Sequence, residues 1–215
     1  FLRRTEFLII TFGTALIYRH KASGMIVSNC HKIPPGEFIR ERLSVQETSD
    51  TIREIIDTAR NFNSSVKFIF TVSPVRHLRD GATENLRSKS ILISALHDVL
   101  DSAPDCLYFP SYELITDELR DYRFYAEDML HPNKIAVDFV WQTFCETLFT
   151  GECLDAVNKI KTMRASYKHR VRNPESESHK AFLTAQLENL KHLKAEYPYA
   201  DFRQEESYFS GERIK

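Results

Sequence analysis

The residues of this chain best placed to do chemistry together are Asp128 and His131, in the run Asp128-Met129-Leu130-His131-Pro132. A carboxylate and an imidazole three residues apart can meet on a single turn. Together they supply what nucleophilic acyl transfer asks of its supporting side chains. The imidazole takes the proton of an attacking hydroxyl, while the carboxylate fixes the ring's tautomer and stabilises the imidazolium that forms. Pro132 restrains the residue before it to extended backbone, which keeps His131 out of the helix whose pattern begins just beyond. By spacing alone, the same run also fits a plain helix N-terminus, with Asp128 a solvated acid and His131 an exposed ring.

Three further segments carry polar, chemically capable residues directly after apolar runs or within the loops that follow them: Gly13-Thr14, Asn29-Cys30-His31-Lys32 and Ser73-Pro74-Val75-Arg76-His77. In an open parallel sheet, such segments converge on the edge where ligands bind. Gly13 and Thr14 would let the backbone approach an oxyanion, and Asn29 would add an amide donor. His31, Arg76 and His77 would line the substrate side. Taken singly, each has a plainer reading as a turn glycine, a turn asparagine or a solvated loop. Arg76 and His77 could equally pair with the nearby acids Asp80 and Glu84.

The elements that must position these residues are legible as alternating patterns. Runs at 6–12, 66–72 and 106–109 are apolar nearly throughout, as strands buried on both faces are. Helical periodicity separates and follows them, near 44–61, 86–102 and 134–149. Ser44 and Glu47 form a capping box that starts the first helix, and Ile135, Phe139, Val140, Phe144 and Leu148 mark the buried side of the last. The order predicts a three-layer αβα fold, flavodoxin-like, around a parallel sheet. Residues 19–43 read as a polar insertion after the first strand. Three strands are few for such a sheet, so at least one more is expected before Phe1.

Beyond about residue 150 the character changes. Two thinly apolar, heavily charged helical patterns span 152–197, broken at Asn173-Pro174, with stripes Leu154/Val157/Ile160 and Leu183/Leu187/Leu190/Tyr197. Residues 1–150 therefore read as the α/β domain and 151–215 as a helical appendage. Its stripes would be covered by that domain or by a second copy in a homo-oligomer.

Composition narrows the partners. With a hydrophobic content of 42% over 215 residues there is ample material for a core, and a net charge of −1 exerts no long-range pull on nucleic acid or anionic membrane. The one basic run, Lys159 to Arg172, is followed by Glu175, Glu177 and Glu188 and reads as a solvated helix face, not a phosphate-binding surface. The apolar stretch Phe7 to Phe12 is too short to span a bilayer. Neither nucleic acid nor membrane is expected as a partner. Cys30, Cys106, Cys145 and Cys153 show neither CxxC pairing nor zinc spacing, so no metal or cofactor is expected, and reduced thiols suit a cytoplasmic setting.

Several of these segments resemble one family. Ile9 to Tyr18, Asn29 to Glu37, Phe68 to Gly81 and above all Asp117 to Pro132 (Asp-Glu-Leu-Arg-Asp-Tyr-Arg-Phe-Tyr-Ala-Glu-Asp-Met-Leu-His-Pro) look like the GSCFA family. That family is similar to the SGNH/GDSL hydrolases and is named for a Gly-Ser-Cys-Phe-Ala stretch. The resemblance covers roughly residues 5 to 150. It implies a serine esterase or acyl-ester hydrolase acting on a small-molecule or carbohydrate ester, with Asp128 and His131 as triad acid and base. The serine of the naming stretch would be the nucleophile. These 215 residues contain neither Gly-Ser-Cys-Phe-Ala nor Gly-Asp-Ser, so the nucleophile is expected upstream of Phe1. Gly13-Thr14-Ala15 stands where SGNH-type chains carry Gly-x-Asn, which makes Asn29 the substitute donor. The competing class is a catalytically silent binding module on the same fold.

Overall fold

A computed structural model describes residues 2–27, 32–168, 173 and 175–211. Two compact units emerge, residues 1–142 and 143–215.

In the first unit, β1 (Phe7–Phe12), β5 (Lys67–Val72) and β6 (Cys106–Tyr108) form a parallel sheet in the order β1-β5-β6. Phe12 lies beside Val72, and Phe70 beside Tyr108, so the carboxyl ends of β1 and β5 finish level. The central strand is buried from Phe68 to Val72, which is why its sequence is apolar without alternation. Leu8, Ile10, Phe12, Phe68, Phe70, Val72 and Cys106 share one sheet face. They pack with Ile52 and Ile56 of α1 (Val45–Phe62) and with Leu92, Leu96 and Val99 of α2 (Gly81–Leu100). Each fully buried side chain of this size contributes roughly 1.5–3 kcal/mol. On the opposite face, Thr71 Oγ1 lies 2.5 Å from Ser111 Oγ of α3 (Ser111–Glu113), and the Ser111 hydroxyl also reaches the Val72 carbonyl at 2.8 Å. The expected three-layer α/β fold is present.

The capping box at α1 is also in place. Ser44 Oγ accepts from the Glu47 N–H, and the Glu47 carboxylate accepts from the Ser44 N–H at 2.8 Å.

The segment read as a polar insertion contributes to a second sheet. Antiparallel β2 (Leu16–His20), β3 (Ile26–Val27) and β4 (Phe38–Arg42) pair in the order β3-β2-β4. Apolar runs of only two or three residues, Leu16-Ile17-Tyr18 and Phe38-Ile39, conceal these strands among charged neighbours. On one face Phe38 meets Tyr18 and His20, with ring centroids 6.4 and 5.4 Å away. Gly24, at φ +70°, closes the β2–β3 turn.

After β6 the chain runs through α3 into a π-helical stretch, Leu114–Glu118, then a loop, then α4 (Lys134–Leu148). The buried stripe of α4 differs from the expected one at its start. Ile135 is 66% exposed, and Ala136 packs instead against Ile115 and Tyr125, together with Val140.

In the second unit, α5 (Gly151–Lys168), α6 (Glu177–Glu196) and α7 (Arg203–Ser210) enclose Met163, Leu190, Phe202 and Phe209. Ile160 of the first stripe and Leu183, Leu187 and Leu190 of the second therefore have cover in this cluster, which α7, a helix too short and polar to stand out in sequence, completes. Within the basic run, Lys159 pairs with Asp155 and Glu196, and Arg164 with the buried Glu205. Cys106 and Cys145 are buried free thiols and Cys153 an exposed one. Among the described residues, no helix is long and apolar enough to cross a membrane.

Candidate active site

The loop between the π-helical stretch and α4 is held closed by its own backbone. Tyr125 bridges Pro132 in antiparallel fashion, the Ala126 N–H donates to the His131 carbonyl at 2.8 Å, and the Met129 N–H donates to the Ala126 carbonyl at 3.0 Å. Asn133 fastens both ends of the loop. Its amide donates to the Arg123 carbonyl at 2.6 Å, while its side-chain oxygen accepts from the Ala136 N–H in the first turn of α4. Met129 takes the left-handed conformation at φ +59°, which folds the four residues from Asp128 to His131 into a tight turn.

Inside that turn, His131 Nδ1 lies 2.6 Å from Asp128 Oδ2. The other carboxylate oxygen accepts from the main-chain N–H groups of Leu130 at 2.9 Å and His131 at 3.0 Å. These three bonds to the anion, the His131 N–H foremost, hold the Asp128 carboxyl down at about 2, so it is ionised throughout the physiological range. With Nδ1 committed to the acid, Nε2 is the ring nitrogen left for a reacting group. The Asp128 side chain is 46% exposed and that of His131 60%, so the pair is open to an incoming substrate.

Arg76 carries this turn to the end of the sheet. It lies four residues beyond Val72, where β5 ends. Its guanidinium donates to the Met129 carbonyl at 3.3 Å and to the Tyr125 hydroxyl at 3.1 Å, and stacks 4.4 Å from the centre of the Tyr125 ring. The nearby acids are engaged elsewhere: Asp80 pairs with Arg40, and Glu84 with Arg42 and Arg87.

His77 and Gly13 meet at the adjoining strand end. A Cβ added at Gly13 would lie 3.6 Å from His77 Nε2, a ring nitrogen buried against the Gly13 backbone. Burial, and then the positive charge of Lys89, lower the His77 pKa. Its main-chain N–H is held by Asn85 Oδ1 at 2.8 Å. The Thr14 hydroxyl lies 2.9 Å from Ser88 Oγ and accepts from the Leu16 N–H, so it shapes the turn from β1 into β2. Asn29 and His31 lie outside the described residues.

Lys89 is the residue that sequence reading missed. Its side chain is wholly buried, and Nζ donates to the carbonyls of Gly13 and Ser73, both at 2.6 Å. A signal was present, since Lys89 stands one turn before Leu92 on the inward stripe of α2 (Leu92, Leu96, Val99), where a cation has no reason to be unless something polar meets it.

Comparison with known families gives two matches. The GSCFA family matches residues 1–144, and the model described as GSCFA domain protein, C-terminal domain, matches residues 160–212. No curated protein matches the sequence. The first match alone spans well over half of the chain, and the chain belongs to the GSCFA family.

Proposed function

We propose that this chain provides the acid and base of a metal-free serine esterase. The observation that carries this reading is the 2.6 Å contact between His131 Nδ1 and the Asp128 carboxylate, in a turn that Arg76 ties to the carboxyl end of β5. Parallel α/β sheets place their chemistry at that end.

In this mechanism a serine hydroxyl from outside these 215 residues attacks the ester carbonyl. His131 Nε2 takes its proton, and the ionised Asp128 stabilises the resulting imidazolium. The oxyanion of the tetrahedral intermediate is received by donors at the carboxyl ends of β1 and β5, with Gly13 and Thr14 the candidates there. Asn29 and His31, outside the described residues, are candidates for substrate contact on sequence grounds. On collapse His131 returns the proton to the leaving alkoxide, and a water, activated by the same ring, releases the acid. The substrate is a small-molecule or carbohydrate ester.

Hydrolysis of p-nitrophenyl acetate by the full-length protein tests this. His131→Ala is expected to lower turnover on the order of 10³-fold or more, and Asp128→Asn by less if the carboxylate mainly orients the ring. Undiminished turnover in His131→Ala would remove the Asp128–His131 pair from the reaction, and absence of turnover in the native protein would favour a silent binding module.

A further inference from the structure

Lys89 lies under the site without touching the acid–base pair. Its ammonium has no carboxylate partner among the described residues, and both its acceptors are main-chain carbonyls at the level ends of adjacent strands. Burial without a counter-ion is costly, and it pushes the Lys89 pKa down to about 8. Such an arrangement is an expensive way to join two strands, because a neutral hydrogen-bonding side chain could bridge carbonyls without bringing charge into the core.

The two carbonyls differ in what lies behind them. That of Ser73 belongs to a peptide whose nitrogen is Pro74 and carries no hydrogen. That of Gly13 belongs to the peptide whose N–H is that of Thr14. An ammonium on a peptide oxygen draws charge through the amide and strengthens the N–H on its far side as a donor. The Thr14 N–H donates to no described residue, whereas the Thr14 hydroxyl and the Ala15 N–H are both tied to Ser88. Gly13 adjoins His77, and the next residue, Arg76, holds the Asp128–His131 turn.

We propose that Lys89 is a positioning residue that charges the Gly13–Thr14 peptide from behind, making the Thr14 N–H the oxyanion donor of the site. This rests on the esterase reading for its chemistry and adds to it a buried cation acting through one peptide bond. The groups facing Lys89 are few. His77 approaches from the loop after β5, with Arg40 and Asp80 behind it. The buried residues of α1, Thr48, Ser49, Ile52 and Ile56, do not titrate. Loss of the proton to solvent leaves a neutral amine with two N–H groups for two carbonyls, so the charge can be removed without changing the geometry.

The experiment follows the Gly13 carbonyl-carbon chemical shift in the isotope-labelled full-length protein from about pH 6.5 to about pH 10, across the range in which a depressed lysine titrates. An inflection is expected near the Lys89 pKa. It should persist in His77→Gln and vanish in Lys89→Arg, which stays charged throughout. Kinetics with p-nitrophenyl acetate supply the second reading. Lys89→Met should lower kcat on the order of 10²-fold with KM little changed, and Lys89→Arg should abolish an alkaline loss of kcat seen in the native protein. A flat Gly13 shift, an inflection surviving in Lys89→Arg, or an alkaline loss of kcat that Lys89→Arg leaves in place would overturn the proposal. If Lys89→Met does not fold, the native and Lys89→Arg titrations decide. Failure of the esterase reading shows separately, as ester turnover indifferent to His131→Ala, and leaves the carbonyl titration to judge the charging of the peptide.

Discussion

Asp128 serves His131 twice: Oδ2 holds the ring at Nδ1, and Oδ1 accepts the main-chain N–H of the same residue. Ring orientation and turn geometry are therefore one structural event. A carboxylate that only oriented the ring could be replaced at small cost to the loop, whereas this one is also the anchor around which Leu130 and His131 fold.

That coupling has a pH signature. The folded-state pKa of Asp128 is depressed from 3.8 to about 2, so what the carboxylate contributes is fully present above 3.8 and is lost only as pH falls through about 2. The Asp128 side-chain carboxyl carbon should titrate with a midpoint near 2. A midpoint at the ordinary carboxylate value would mean that the turn does not hold the anion in solution.

Arg76 should govern the mobility of the same turn. Arg76→Lys keeps the charge but loses the planar fork that spans the Met129 carbonyl and the Tyr125 hydroxyl, as well as the stacking on Tyr125. Amide exchange at Ala126, Met129 and His131 is expected to accelerate about tenfold or more, with β5 unaffected. Equal acceleration across the sheet would indicate a general loss of stability and remove Arg76 from the site.

Asn133 closes the loop onto α4, and its loss should be felt in the fold. Asn133→Ala removes the bond to the Arg123 carbonyl and the cap on the Ala136 N–H, at a cost of roughly 1–2 kcal/mol. Thermal unfolding should show a lowered Tm. An unchanged Tm would mean that the loop is closed by its backbone bonds alone.

Much of this was legible in sequence because single physical signals sufficed. Strand β5 announces itself as an unbroken apolar run because both its faces are covered, and α1 by Ser44 and Glu47, whose reciprocal bonds need no tertiary context. Asp128 and His131 could be paired on spacing because one turn brings them together. The antiparallel sheet was hidden because Leu16-Ile17-Tyr18 and Phe38-Ile39 are brief runs among charges, and only their pairing makes them strands. Ile135 misled because the helix is anchored by Ala136, whose small side chain lets α4 approach Ile115 and Tyr125, and periodicity does not weigh size. Lys89 was invisible for a different reason. Its partners are backbone carbonyls of Gly13 and Ser73, which no side-chain pattern encodes.

The central claim, that His131 acts as the base for a serine nucleophile, is tested most directly by labelling the full-length protein with a fluorophosphonate. The serine oxygen attacks phosphorus, fluoride leaves, and the proton passes to the base, so adduct formation reports the activated nucleophile whatever the natural ester is. The expected result is a single modified serine in the native protein, with labelling slowed on the order of 10³-fold in His131→Ala and less in Asp128→Asn. Labelling of that serine at the native rate in folded His131→Ala would contradict the assignment of the Asp128–His131 pair as catalytic acid and base.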